Sequence, residues 1–287
     1  MNKGISRTKY IGQVFMQDFF RTKLVVLMIL QFFVLHIVLS PIRKFTQTAN
    51  YPISPWVIPI VFINLYFHFL FMACVIYHYS NVPFMQRSQM YQIIRSGKRK
   101  WALGKIVGII LGGFGLAIME SLLSLLPLIG RLRFETNWGK VIYSLAMTNA
   151  AEEYKIPFYF PYELLNSYSP LKAMLIFILV SGLVISFIGV TMFAVSILFS
   201  RLAAIVTAMI LIILPFVEMN LKRMYDWLIY VSPVSWMNMT KIGVRSEGKL
   251  PTLSYIIPVL LTMIIILSLV IIWRIKTIDF QWNKEEQ

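Results

Sequence analysis

Residues 171–217 read LKAMLIFILVSGLVISFIGVTMFAVSILFSRLAAIVTAMILIILPFV, an apolar run of 47 residues broken only at Ser200–Arg201. As one helix this run would be roughly 70 Å long, more than twice the ~30 Å hydrocarbon core of a bilayer. An arginine at mid-membrane is costly, so Arg201 belongs at a membrane surface. The run then reads as a helical hairpin, two spans joined by a tight turn at Ser200–Arg201.

Composition agrees with that reading. Apolar residues make up 58% of the 287, and charged residues 14%, whereas soluble domains run at about 45–50% and about 25%. The few charges cannot coat a soluble body of this size, and the wealth of aromatics excludes a disordered chain. The net charge of +15 would suggest nucleic acid in a soluble protein. In a membrane chain it reads as basic loop residues, and no nucleic-acid partner is expected. The single cysteine, Cys74, excludes an intrachain disulfide and reads as a small buried hydrophobe.

Outward from the hairpin, apolar runs place six spans at about 24–40, 56–79, 103–129, 171–199, 202–217 and 255–273. The fold class is therefore an all-α polytopic membrane protein, one transmembrane domain over 1–287 without a nucleotide-binding domain. Residues 1–23 hold five basic side chains, and no small-residue cleavage site follows the first apolar run, so that run reads as an anchor rather than a signal peptide. Lys and Arg are denser in the segments that an N-inside orientation makes cytoplasmic, 14 in 62 residues against 11 in 93. This predicts a multi-pass protein with both termini cytoplasmic, in a bacterial plasma membrane.

The loops carry further signals. Ile11, Val14, Phe15 and Phe19 share one face of Tyr10–Arg21, which predicts an interfacial helix ahead of the first span. Between spans two and three, Pro83 is followed by an amphipathic stretch Phe84–Arg95, with Phe84, Met85, Met90, Ile93 and Ile94 apolar. Gly97 and the basic run Lys98–Arg99–Lys100 come next. A cytoplasmic docking surface explains both the basic run and the apolar face. The loop 130–170 is rich in aromatics, and predicts a short outside helix over Trp138–Ala151 followed by an extended or turn segment. Its role is interfacial packing or substrate recognition. The patch Trp227–Trp236, broken at Pro233, is too short to span and predicts a re-entrant helix pair dipping from outside.

Catalytic motifs are absent. Gly97 lies seven residues before Gly104–Lys105 rather than five, and Ile106 stands where a Walker A motif has Ser or Thr, so the chain does not read as an ATPase. No zinc, thiol-redox or nucleophile-elbow signature occurs. Glu120 is an acid inside span three, a candidate functional residue by default or a hydrogen-bonded group near the outer interface. Asn64 and His68 stand four apart on one face of span two, where they line a path or bond across helices.

In layout the chain resembles the type 2 ABC-exporter permeases. The resemblance rests on the amphipathic N-terminal helix before six spans, the loop ending in Ser96–Gly97–Lys98–Arg99 with Gly104–Lys105 at the entry to span three, the turn at Ser200–Arg201, and Ser232–Pro233 before span six. It implies a coupling helix at Phe84–Arg95, with Phe84, Met85, Arg87, Met90, Ile93 and Arg95, joined by Arg201, contacting an ATPase. It also implies two separate ABC ATPase subunits that handle ATP and Mg, a second permease copy or paralogue, and no cofactor in this chain. Spans two and five would face the partner permease, and Asn64, His68 and Glu120 are the candidate translocation path. The expected activity is export of a hydrophobic or amphipathic peptide, lipid or drug. The residues alone also allow a proton-coupled carrier using Glu120, or a non-transporting scaffold or immunity protein.

Overall fold

The computed structural model describes residues 22–83, 93, 97–221, 226–243 and 250–277. The described residues are 77% helical, and among them strand pairing is limited to the isolated bridges Ile53–Leu132 and Gly243–Thr252. Among the described residues five helices are long and apolar enough to cross a bilayer, the mark of an integral membrane protein. They are α1 (Thr22–Thr48), α4 (Lys98–Leu123), α8 (Pro170–Leu198), α9 (Arg201–Leu221) and α10 (Leu253–Arg274). The predicted interfacial helix Tyr10–Arg21 lies outside the described residues.

The predicted second span is not one helix. It is a short α2 (Ile58–Val61), a break at Phe62–Asn64, and α3 (Leu65–Tyr79). At 15 residues, α3 is about 22 Å long, short of the hydrocarbon core. The cause is local. Asn64 leaves the helical region and its side-chain oxygen accepts from the Phe67 amide at 2.9 Å, the capping competition by which asparagine ends one helix and starts another. Helix α1 departs the other way. The apolar run stops at Ser40, yet the helix continues through Pro41 to Thr48. Pro41 has no N–H for the Ile37 carbonyl, and the Ser40 hydroxyl donates to that oxygen instead, at 3.1 Å.

The core is built around α8. Of its most apolar stretch 78% is buried, against 28% in α1 and α9 and 22% in α10. Its main partner is α4, and small residues let the two backbones approach. A Cβ on Gly113 would lie 2.3 Å from Ser186 Oγ and 2.8 Å from the Gly182 carbonyl oxygen, and one on Gly182 would strike the Phe114 ring. Ser186 Oγ donates to the carbonyls of Gly182 at 2.6 Å and Ile110 at 3.2 Å. The α8–α9 turn falls at Phe199–Ser200, one residue before the expected Ser200–Arg201, and Arg201 opens α9.

At one end of the bundle, residues 130–170 are woven onto residues 51–56. Ile53 pairs with the backbone of Arg131 and Arg133. Ser54 Oγ donates to the Trp138 carbonyl, Trp56 Nε1 to that of Glu135, and Trp138 Nε1 to that of Tyr168. The predicted helix over Trp138–Ala151 is present as α5 (Gly139–Met147) followed by α6 (Ala150–Glu153). The segment expected to be extended or turned adds α7 (Tyr162–Ser167). Trp138, Phe158, Phe160 and Tyr168 are buried packing residues, while Phe134, Tyr159 and Tyr162 are exposed.

The predicted re-entrant helix pair is instead three 3₁₀ helices, Asp226–Val231, Pro233–Met237 and Met239–Lys241. Pro233 starts the second, and Trp236, fully buried, donates from Nε1 to the Ile229 carbonyl at 2.7 Å. The segment packs on α8, α9 and α10.

Candidate functional site

Two polar sites stand at opposite ends of the bundle. Lys23 and Arg43 of α1 mark their levels, about 30 Å apart at 1.5 Å per residue, which matches the hydrocarbon thickness.

At the first end, Arg201 Nε donates to the Ser80 carbonyl at 2.7 Å. Lys23 Nζ donates to Ser80 Oγ and to Asn81 Oδ1, the latter at 2.7 Å. The start of α1, the end of α3 and the α8–α9 turn are thus tied together just before the segment 84–96. Of the residues expected to form a coupling helix there, Phe84, Met85, Arg87, Met90 and Arg95 lie outside the described residues. Ile93 is described and is buried at 5% exposure, so its side chain belongs to the core and not to an exposed apolar face. Lys105, at the expected Gly-Lys entry, is buried near the Trp101 ring.

At the other end a cavity of about 200 Å³ opens between the α2–α3 break, α9 and the 3₁₀ segment. Its polar wall is an ion pair. Lys241 Nζ donates to Glu218 Oε1 at 2.6 Å, with side chains 21% and 4% exposed. Among the described residues Glu218 Oε2 has a single 3.4 Å contact, from Ser235 Oγ, itself bonded to Ser232 Oγ. His68 lines the cavity, is 2% exposed, and its Nε2 has no hydrogen-bond partner among the described residues. Tyr159, exposed, stands at the mouth. Pro215, on the α9 wall, removes one backbone donor from that helix.

The three expected path residues do not meet at this cavity. Only His68 lines it. Asn64 spends its side chain on the α3 cap and on the Pro157 carbonyl, to which Nδ2 donates at 2.7 Å. Glu120 is fully buried near Cys74, which Gln31 also borders, and neither carboxylate oxygen has a hydrogen-bond partner among the described residues.

Sequence reading missed Glu218, Lys241, Ser235 and Tyr159 as a site. One signal was available: Glu218 directly follows the apolar run of span five, where an acid at the boundary wants a partner. Among the described residues no group of His, Cys, Asp or Glu could hold a metal ion. Compared with known proteins, the chain matches no family model, no curated protein and no solved structure.

Proposed function

We propose that this chain is the permease subunit of an ABC-type exporter, moving a hydrophobic or amphipathic peptide, lipid or drug. Two separate ATPase subunits bind ATP and Mg, and a second permease copy or paralogue completes the path. The protein lies in a bacterial plasma membrane as six membrane-crossing passes with both termini cytoplasmic. The short α3, preceded by α2, makes the second pass, and the 3₁₀ segment caps the outside.

The observation that carries this reading is the knot of Arg201, Ser80, Asn81 and Lys23 at the root of segment 84–96. A displacement of that segment reaches α1, α3 and α9 through three hydrogen bonds. That is what a transmission element needs if ATPase closure is to bias one bundle arrangement over another. The weakly buried faces of α1, α9 and α10 leave room for lipid and a partner permease.

Co-purification tests it. A tagged chain expressed in its native host is expected to bring down an ABC ATPase, with Met85→Asp or Met90→Asp lowering recovery while membrane insertion is kept. Recovery of the chain without any ATPase, together with transport by the chain alone, overturns it.

A second reading, a proton-coupled carrier using Glu120, is favoured by that buried carboxylate without a partner. Flux in liposomes driven by a proton gradient, with no ATPase added, is its signature.

A further inference from the structure

The outer cavity sits on the break in the second apolar stretch, where Ile63, Leu65 and His68 line it. A helix interrupted within a membrane bundle turns backbone amides toward a cavity, and its N-terminus carries partial positive charge. In α3, Asn64 caps the Phe67 amide, while the Leu65 and Tyr66 amides lie in the first turn, beyond the reach of intrahelical carbonyls.

The opposite wall offers both signs of charge. Lys241 Nζ has three donors and spends one on Glu218. Glu218 Oε2 retains acceptor capacity beside its long contact from Ser235. The two charges cancel, so a ligand of net charge would be repelled by one of them, whereas a molecule with adjacent positive and negative groups satisfies both. His68 also lines the cavity, its buried Nε2 without a hydrogen-bond partner among the described residues. The rest of the lining is apolar at Ile63, Leu65, Pro215 and Met219, with Tyr159, Asn238 and Thr240 completing it. The volume, about 200 Å³, is below the ~300–1,000 Å³ of sites for drug-sized ligands, and suits one residue-sized molecule.

We propose that this cavity binds a zwitterionic α-amino acid with an apolar side chain. Its carboxylate lies at Lys241 and the first turn of α3, its ammonium at Glu218, and its side chain against Pro215 and Met219. The inference does not rest on ATP-driven export and is tested on the chain alone.

The experiment measures equilibrium binding of radiolabelled L-leucine to the purified full chain in lipid nanodiscs. Saturable binding is expected, with leucinamide (no carboxylate) and N-acetylleucine (no free ammonium) each competing at least tenfold less well than leucine. Lys241→Gln and Glu218→Gln are both expected to abolish binding. Because either could unsettle the fold, Met219→Trp, which fills the cavity from a half-exposed position, is the second variant. It should abolish binding at an unchanged melting temperature. Equal competition by either derivative, full binding by Met219→Trp, or no saturable binding of leucine, valine or phenylalanine to the folded chain overturns the proposal.

Discussion

Arg201 Nε and the Ser80 carbonyl oxygen are 2.7 Å apart, although 121 residues of chain separate them. The contact closes the α8–α9 hairpin against the end of α3. It also explains why an arginine interrupts an apolar run of that length. The guanidinium sits where it remains exposed and finds a carbonyl beyond the last turn of a neighbouring helix.

Arg201→Ala removes this tie. Its cost in stability is expected to stay under about 1 kcal/mol, because the donor is exposed and water replaces the bond. If the proposed ABC-exporter function holds, the larger effect is expected on coupling, as a several-fold fall in substrate-stimulated ATPase turnover of the reconstituted complex. Arg201→Lys lacks Nε and is expected to rescue only part. Unchanged turnover in both variants would remove the knot from the transmission path.

Gly113→Ala pushes a methyl into Ser186 and the α8 backbone at distances of 2.3–2.9 Å. Backbone cannot yield as a flexible side chain can, so about 1–3 kcal/mol of destabilisation is expected. It would be read as a lower melting temperature in detergent. Ile118→Ala, at a position of α4 that is 46% exposed, serves as control and should shift the melt far less.

The two bonds of Asn64 can be separated. Asn64→Asp keeps the acceptor for the Phe67 amide and loses the donor to Pro157, while Asn64→Ala loses both. The cap is worth about 1 kcal/mol, so Ala is expected to be the less stable by about that amount. Amide exchange at Phe67 checks the assignment: it should accelerate in Ala and stay protected in Asp.

Glu120→Gln keeps shape and removes ionisation. Since no partner among the described residues holds the carboxylate, the variant should melt within about 1 kcal/mol of the parent. If the chain is the proposed ABC-exporter permease, ATP-driven export should persist in it. Export that collapses in Glu120→Gln, with folding intact, would shift the balance toward the proton-coupled reading.

Much of the scaffold is legible in residue order because the bilayer imposes a length. Apolar runs of about 20 residues become helices since every backbone group must bond within its own segment. This fixed α4, α8, α9 and α10 to within a few residues, and the hairpin turn to within one residue. Where the reading failed, a short-range polar choice outweighed hydropathy. Asn64 capped a helix inside an apolar stretch, Ser40 repaired the carbonyl that Pro41 orphaned, and Pro233 with its neighbours settled into 3₁₀ turns.

The candidate site was less legible. His68 could be singled out as a polar group in an apolar helix, but Glu218 and Lys241, 23 residues apart, looked like separate loop charges. Nothing in their spacing announces a pair. Asn64 and His68, which share a helix face by spacing, divide their roles instead. Asn64 starts the helix and turns its amide to the Pro157 carbonyl, while His68 borders the cavity.

Sequence alone determined that this protein lives in a membrane, where its long helices run and where its hairpin turns, because those follow from hydropathy and the cost of burying charge. Only the tertiary structure decided that α8 is the core, that its glycines set the distance to α4, that Arg201 meets Ser80, and that Glu218 and Lys241 join over a cavity at the broken second stretch. The physical reason is range. Hydropathy and capping act within a few residues along the chain, whereas close packing and ion pairing depend on which surfaces the folded bundle brings within a few ångströms.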